Sequence, residues 1–348
     1  MSQYTVFITS PLEAEYVDLI RSVSPGLEVL FELDLLPSPR YVADHKGGPL
    51  ERTEEQERRW RSCLERADIL WDFPPLGADG RSPMLGALKV KWVQTTSTGV
   101  GPLVKLHGLQ NSDIIVTTAR GVHAGPLAEF VMLGLLAHFR GLRHLEAEQK
   151  QHRWTRYCGD EIAGKHLVIV GAGDLARGTA VLARAFGMRV EAIARHPDKS
   201  RDHLHVFDAI FPVERLHERL GQADAVVIAV PHTPDTDTMI DRSALGAMKP
   251  AGVFVNIARG SVVDESALID NLRSGHIGFA ALDVAAKEPL PPDSPLWDMP
   301  NVLISPHSAS TVQAENARIT EIFCHNLREY LAGRPDRMKN ILDKSLLY

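Results

Sequence analysis

Short apolar runs alternate with charged stretches of helical spacing through the first third of the chain. The apolar runs predict strands, and they read YTVFIT, LEVLFEL, DILWDF, VKWVQTT and DIIVTT. Between them, TEEQERRWRSCLERA places acidic and basic residues three and four positions apart, which is typical of a solvent-facing helix. Strands separated by helices predict a parallel sheet that is covered on both faces.

A second alternating series occupies the region from about residue 165 to residue 305. Six strands are predicted there, HLVIV, RVEAIA, AVVIAV, VFVNI, GFAALDV and NVLI, and they fit an open doubly wound sheet. One continuous helix is predicted between the two series, from about Leu127 to His144. Its first half is apolar on nearly every face, which indicates burial between domains or subunits. A last helix is predicted from about Glu315 to Leu331. The fold class is therefore α/β with two parallel-sheet units.

Composition narrows the class of protein. A chain of 348 residues has room for two ordinary domains, and 44% hydrophobic with 24% charged residues are globular values. The net charge of −6 argues against a nucleic-acid partner and against an anionic membrane surface. Three scattered cysteines predict no disulfide framework, and the 15 histidines show no zinc-site spacing, so no metal is expected. MSQYTVFITS does not resemble a signal peptide, which favours a cytoplasmic location.

A glycine-rich turn follows the predicted strand HLVIV. Gly171 and Gly173, with Ala176, form the pattern G-x-G-x-x-A at the start of a predicted helix. In this pattern the first glycine permits a tight turn, and the second lets the backbone approach a pyrophosphate at the helix N-terminus. The position between a strand and a helix predicts a dinucleotide site rather than a plain turn.

The next predicted strand, RVEAIA, ends at Arg195, with Lys199 and Arg201 close behind. An NAD site usually carries an acidic residue here to accept hydrogen bonds from the ribose. Arg195 offers no acceptor but could pair with a 2′-phosphate, so we expect NADP(H) to be preferred, with NAD(H) also possible. The alternative is a solvated basic loop.

Three further loops leave the carboxyl ends of predicted strands. NIARGSVVDE carries Arg259, LDVAAKEPL carries Asp283 and Glu288, and SPHSAS carries His307. Because open α/β sheets bind ligands at this edge, we expect the loops to form one site. A simple ion pair between Arg259 and Glu288 could instead brace the loops, although that would leave His307 unexplained.

These motifs, in this order, resemble the D-isomer-specific 2-hydroxyacid dehydrogenases over nearly the whole chain. The resemblance also rests on TTARGVHAGPLAEFVM, Trp154, IVGAGDLARGTAVLARAFGMRV, VPHTPDTDTMI and TTSTGVGPL. It implies a Rossmann dinucleotide-binding domain over residues 119–307. It also implies a smaller flavodoxin-like substrate domain, formed by residues 1–118 and 308–348 together.

The resemblance implies roles for individual residues. Arg259 would bind the carboxylate and carbonyl oxygen of the substrate, His307 would be the acid/base, and Glu288 would orient it. Cofactor contacts would come from Gly171, Gly173, Asp174, Leu175, Arg195, Thr236, Ile257, Ala258 and Asp283. Backbone at Thr98, Gly99, Val100 and Gly101 would hold the substrate carboxylate. The chain departs from the family pattern at Gly101, where Asp is common, and at Ala176, where Gly is common. Glu288 differs from the Gln that formate dehydrogenases of the superfamily carry.

The residue types suit reduction of a small 2-oxo acid to a D-2-hydroxy acid, or the reverse. Hydride transfer to a carbonyl carbon leaves negative charge on oxygen, which an arginine stabilises and a protonated imidazole neutralises. We expect a small-molecule 2-oxo or 2-hydroxy acid substrate such as glyoxylate, hydroxypyruvate or a branched 2-oxo acid, and a homodimer. Two other functions remain open, a dinucleotide-sensing corepressor-like protein and a dehydrogenase of another small anion such as phosphoglycerate or phosphite.

Overall fold

The computed structural model describes residues 4–77, 80–198 and 205–345. The chain divides into two compact units, residues 1–122 with 311–348, and residues 123–310. The first unit therefore consists of the N-terminal and the C-terminal parts of the chain together. Each unit contains one parallel sheet covered by helices.

The sheet of the first unit has five strands, all predicted from the sequence. They are β1 (Tyr4–Ile8), β2 (Leu27–Leu30), β3 (Ile69–Trp71), β4 (Trp92–Gln94) and β5 (Ile115–Thr117). Every pairing is parallel, and the strand order β2-β1-β3-β4-β5 is that of flavodoxin. The prediction of a flavodoxin-like parallel sheet is therefore confirmed.

Three helices lie between these strands: α1 (Ala14–Arg21), α2 (Glu54–Arg66) and α3 (Gly101–Leu106). The predicted charged helix is α2, and a capping box fixes its start. The Thr53 side chain accepts a hydrogen bond from the Gln56 backbone N–H at 3.2 Å, and the Gln56 side chain accepts one from the Thr53 N–H at 2.9 Å. Two otherwise unsatisfied amides are thereby paired.

The second unit has seven strands, one more than the six predicted. They are β6 (His166–Val170), β7 (Arg189–Ala194), β8 (Ala209–Pro212), β9 (Ala225–Ile228), β10 (Gly252–Asn256), β11 (Ile277–Leu282) and β12 (Val302–Ile304). Every pairing is parallel, in the order β12-β11-β10-β9-β6-β7-β8. The order reverses at β6, so the sheet is doubly wound, and the switch point lies between β6 and β9. The strand that sequence analysis missed, β8, lies at the edge of the sheet.

The prediction of one helix from Leu127 to His144 is wrong. Two helices occupy this stretch, α4 (Ala124–Phe139) and α5 (Leu142–Lys150). Gly141 separates them with a φ of 66°, a left-handed conformation that ends the first helix. Four further helices lie among the described residues of the second unit: α6 (Asp174–Ala185), α7 (Leu216–Leu220), α8 (Arg242–Ala247) and α9 (Glu265–Arg273).

Both faces of the second sheet are buried, as the near-continuous apolar strands predict. Along β10, Val253 and Val255 pack with α4 and α6, whereas Phe254 packs on the opposite face with α7, α8 and α9. Helix α4 lies very close to the sheet, since a β-carbon at Gly134 would be 2.7 Å from the β-carbon of Ala281.

The last helix, α10 (Glu315–Leu331), belongs to the first unit. Its Phe323 ring contacts two buried tryptophans of the sheet, with centroid distances of 5.4 Å to Trp71 and 5.0 Å to Trp92. Within the described ranges, none of the helices is both long enough and apolar enough to span a membrane.

Candidate active site

The loops that carry Arg259, Glu288 and His307 follow β10, β11 and β12, which are neighbours in the second sheet. Because all three strands run in parallel, their carboxyl ends meet at one edge. The structure therefore brings the three predicted catalytic residues to the same edge of one unit.

His307 and Glu288 form a direct pair. The Nδ1 atom of His307 lies 2.7 Å from Oε2 of Glu288, and the two side chains keep 42% and 39% of their surface exposed. His307 has a φ of 54°, an uncommon conformation for a residue other than glycine. Its backbone N–H donates to the carbonyl oxygen of Asp283 at 2.8 Å, which fixes this turn. The pair occupies Nδ1 and leaves Nε2 for another partner.

Asp283 anchors the turn that carries His307. It is 3% exposed, and its Oδ1 accepts hydrogen bonds from the Ser305 hydroxyl at 2.7 Å and from the Ala309 backbone N–H at 2.9 Å. The sequence predicted Asp283 as a cofactor contact. In the structure its carboxylate holds both ends of the SPHSAS turn.

Arg259 projects from the end of β10, next to the buried residues Ile257 and Ala258. Its Nη1 donates to the Ala258 carbonyl oxygen at 2.7 Å. Asn256 fixes the turn, because its amide donates to the Arg259 carbonyl oxygen at 3.2 Å and accepts from the Ala258 N–H at 3.0 Å. Within the described part of the chain, Arg259 forms no ion pair with Glu288, which pairs with His307 instead. The bracing ion pair considered above is therefore not observed.

The glycine-rich turn follows β6 at the switch point of the sheet. Gly171 has a φ of 122°, and a β-carbon there would lie 2.6 Å from the Ala229 carbonyl oxygen, so only glycine fits. A β-carbon on Gly173 would meet no atom within 4 Å, so this backbone opens onto free space before α6. Ala176 is fully buried and lets the helix pack closely. A turn with free space at the helix N-terminus fits a dinucleotide pyrophosphate.

Asp174 and Leu175 lie in the first turn of α6, as predicted. Asp174 pairs with Arg177 at 2.9 Å. Thr236 lies in the loop that follows β9. Its hydroxyl donates to the Pro231 carbonyl oxygen at 2.7 Å and accepts from the Thr233 N–H at 2.8 Å, so it holds its own loop together.

Arg195 immediately follows β7, the strand next to β6. Its Nη1 lies 3.3 Å from Oδ2 of Asp235, and both side chains are at least half exposed, at 50% and 75%. An exposed pair of this kind is weak. The other two basic residues of the sequence prediction, Lys199 and Arg201, lie outside the described residues.

Thr98, Gly99, Val100 and Gly101 belong to the first unit, where they connect β4 to α3. Val100 and Gly101 are buried, whereas Thr98 and Gly99 are exposed. A neighbouring bond supports this loop, because the Thr96 hydroxyl donates to Oδ2 of Asp72 at 2.7 Å.

His107, which follows α3, is a buried histidine of the first unit. Ser82 Oγ lies 2.8 Å from Nδ1 of His107, and the Phe73 ring stacks on its imidazole at a centroid distance of 4.7 Å. Burial lowers the pKa of His107 below its usual range, so this imidazole is neutral at pH 7.

Sequence analysis missed several residues that support the site, namely Asn256, Gly260, Glu265 and Ser305. A polar residue in the buried run VFVN was a signal for Asn256, because buried amides need partners. Glu265 lies in the first turn of α9, where acidic residues are common for dipole reasons alone. Its hydrogen bond with Ala286, in another loop, could not be predicted from the spacing of residues along the chain.

Comparison with known proteins identifies the family. Residues 132–309 match the family model described as "D-isomer specific 2-hydroxyacid dehydrogenase, NAD binding domain". The chain belongs to the D-isomer specific 2-hydroxyacid dehydrogenases. The resemblance inferred from the sequence is confirmed, as is the presence of an NAD-binding domain in the second unit.

Individual relatives differ in their substrates. A D-3-phosphoglycerate dehydrogenase from Mycobacterium leprae is 36% identical over 304 residues, which cover 80% of this chain and 54% of that protein. The chain thus spans about half the length of that relative. An (S)-sulfolactate dehydrogenase from Chromohalobacter salexigens is 34% identical over 279 residues, 79% of this chain and 84% of that protein.

A solved structure is similar over nearly the whole chain. It is an NADPH-dependent glyoxylate/hydroxypyruvate reductase from Sinorhizobium meliloti, in complex with NADP and sulfate. The TM-score is 0.78 with 26% sequence identity, over 99% of this chain and 100% of the other.

Proposed function

We propose that the protein is an NADP(H)-preferring reductase of small 2-oxo acids, forming D-2-hydroxy acids. The observation that carries this proposal is the 2.7 Å contact between His307 Nδ1 and Glu288 Oε2 at the sheet edge that also presents Arg259. A carboxylate on Nδ1 fixes the imidazole with Nε2 available to a substrate, as acid/base catalysis requires.

His307 acts as the proton donor in the reductive direction. The Glu288 carboxylate holds Nδ1 and orients the ring, so that Nε2 of the protonated imidazole delivers the proton to the substrate oxygen as negative charge develops there. In the oxidative direction the neutral imidazole accepts the proton of the hydroxyl group. The side chains are part exposed, so the proton can return from solvent.

Arg259 binds and orients the substrate. A guanidinium offers two parallel donors to a carboxylate and also stabilises the neighbouring oxygen. Since Arg259 has no ion-pair partner among the described residues, its charge is available to a ligand. We assign the carboxylate of the 2-oxo acid to Arg259, and binding of substrate by the backbone of Thr98, Gly99, Val100 and Gly101 stays a prediction from the sequence.

The cofactor would be held by Gly171, Gly173, Asp174 and Leu175 at the pyrophosphate. When bound, a nicotinamide dinucleotide supplies the hydride for reduction or accepts it in oxidation. Ile257, Ala258, Asp283 and Thr236 would line its remaining surface. Arg195 would pair with a 2′-phosphate in place of its weak contact with Asp235, and this exchange supports the NADP(H) preference.

We also propose a homodimer. Four large apolar or aromatic side chains of the second unit are exposed between α4 and the segment after α5. They are Leu133 (50%), Leu142 (38%), Leu145 (43%) and Trp154 (99%). Exposed apolar groups that recur in one stretch are typical of a subunit interface. Light scattering coupled to size exclusion should give twice the chain mass, and a monomeric mass at micromolar concentration would contradict the proposal.

A panel of 2-oxo acids with NADPH and NADH tests the proposed activity. We expect glyoxylate, hydroxypyruvate or a branched 2-oxo acid to cause loss of NADPH absorbance, with a lower kcat/KM when NADH replaces NADPH. His307→Ala serves as the matched blank. Failure of every 2-oxo acid, together with NADP reduction by phosphoglycerate or phosphite, would contradict the proposal.

A further inference from the structure

We propose that Glu265 is a positioning residue for the acid/base pair, acting through the loop that carries Glu288. The inference rests on the proposed function, because it assigns Glu288 the task of orienting His307. Glu265 itself lies in the first turn of α9 and has no contact with His307 in the structure.

Two carboxylates hold two successive amides of the Glu288 loop. The Ala286 backbone N–H donates to Oε2 of Glu265 at 2.8 Å, and the Ala285 N–H donates to Oε1 of Glu288 at 3.2 Å. Oε1 of Glu288 therefore binds its own loop, and Oε2 binds His307. The direction of the Glu288 carboxylate depends on where Ala285 lies, and Ala285 is joined directly to the peptide whose N–H Glu265 holds.

The same peptide is confined from another direction. A β-carbon on Gly260 would lie 1.9 Å from the Ala285 carbonyl oxygen and 2.4 Å from the Ala286 nitrogen. The Arg259 turn thus limits the loop by direct backbone contact, whereas Glu265 restrains it by a charge-assisted hydrogen bond. Steric contact stops the loop from moving closer to the Arg259 turn but does not stop it from moving away. The hydrogen bond to Glu265 therefore supplies the attraction that holds the loop in place.

The base of this restraint is well fixed. Asp264 caps α9, since its Oδ1 accepts a hydrogen bond from the Ala267 N–H at 2.9 Å. Glu265 therefore extends from the ordered start of a helix, and its carboxylate can hold the loop at a constant distance. Hydrogen bonds and one short loop thus connect α9 to the imidazole, in the order Glu265, Ala286, Glu288 and His307.

Three variants separate positioning from general stability. Glu265→Ala removes the acceptor, Glu265→Gln keeps an oxygen acceptor without the charge, and Asp241→Ala removes an equivalent cap from a different helix, α8. Amide hydrogen exchange of Ala285 and Ala286 gives a readout that needs no substrate. The separate values of kcat and KM for 2-oxo-acid reduction give the second readout.

We expect Glu265→Ala to speed exchange at both amides about 10-fold, as loss of one hydrogen bond to a charged acceptor implies. The kcat for reduction should fall as well, with a nearly constant KM for the 2-oxo acid, because a less well placed Glu288 holds the imidazole less firmly. Glu265→Gln should restore both readouts toward those of the unmodified protein, and Asp241→Ala should change neither.

Unchanged protection of Ala286 in Glu265→Ala would overturn the inference, as would an equal fall of kcat in Asp241→Ala. An unmodified protein that reduces no 2-oxo acid would instead overturn the proposed function. The exchange measurement would still decide whether Glu265 holds the loop, so the two failures are distinguishable.

Discussion

Gly260 and Ala285 touch through their backbones. A β-carbon on Gly260 would lie 1.9 Å from the carbonyl oxygen of Ala285 and 2.0 Å from its carbonyl carbon. Neither atom belongs to a side chain that could rotate away. The loops of Arg259 and Glu288 are therefore packed directly against each other. They can lie this close because Gly260 has no side chain.

Gly260→Ala should consequently disturb both stability and turnover. Overpacking in a tight site costs about 1–3 kcal/mol, and we expect a loss of that size in the free energy of unfolding, measured by urea denaturation. Gly246→Ala is the control, because a β-carbon there meets no atom within 4 Å. Equal stability of the two variants would show that the loops can separate freely.

Loss of the hydrogen bond between Thr96 and Asp72 should weaken binding of the substrate rather than of the cofactor. Thr96→Val removes the hydroxyl that donates to Oδ2 of Asp72 at 2.7 Å, beside the Thr98–Gly101 loop. We expect the KM for the 2-oxo acid to rise about 10-fold, the effect of one hydrogen bond to a charged group. The KM for NADPH should stay constant, and Ser112→Ala in the same unit should change neither. A rise confined to the KM for NADPH would contradict this assignment.

Arg195→Ala tests the choice of dinucleotide. Loss of a charge-assisted contact to the 2′-phosphate should raise the KM for NADPH about 10- to 100-fold and leave that for NADH nearly unchanged. Arg242→Ala is a suitable control, since Arg242 also forms an exposed pair, with Asp270 at 3.0 Å. An equal rise for both dinucleotides would show that Arg195 does not recognise the 2′-phosphate.

Glu288→Gln should lower the turnover of reduction. The carboxylate beside Nδ1 holds the imidazole with Nε2 available to the substrate, so loss of this charge-assisted contact should lower kcat about 10-fold. The Kd for NADPH should stay constant. Glu214→Gln, at an exposed position of the same unit, should leave kcat unchanged. A kcat that Glu288→Gln leaves unaltered would exclude this role for Glu288.

Most of the fold could be predicted because the two sheets are buried on both faces. Strands such as His166–Val170 are buried throughout and apolar from Leu167 onward, and that pattern has few alternatives. The strand Ala209–Pro212 was missed because it is short, ends in proline and lies at a sheet edge, where only one side must be apolar. The break at Gly141 was hidden because Leu142 and Leu145 continue the apolar pattern on the other side.

The candidate site was predictable where a residue's type is tied to its chemistry, as with Arg259 and His307. Supporting contacts were not, because they join loops far apart in sequence. Glu265 and Ala286 are 21 residues apart, and Asp283 and Ser305 are 22 apart. Those contacts exist because neighbouring strands end at one edge, and the strand order that makes them neighbours is visible only in the structure.

The transfer of a proton by His307 is the central claim, and turnover of His307→Ala tests it most directly. General acid catalysis contributes about 100- to 10,000-fold, so kcat for NADPH-dependent reduction should fall by that factor. The Kd for NADPH, measured by fluorescence titration, should stay constant. The control is His217→Ala, which changes an exposed histidine of the second unit. A kcat within a few-fold of the unmodified protein would contradict the claim.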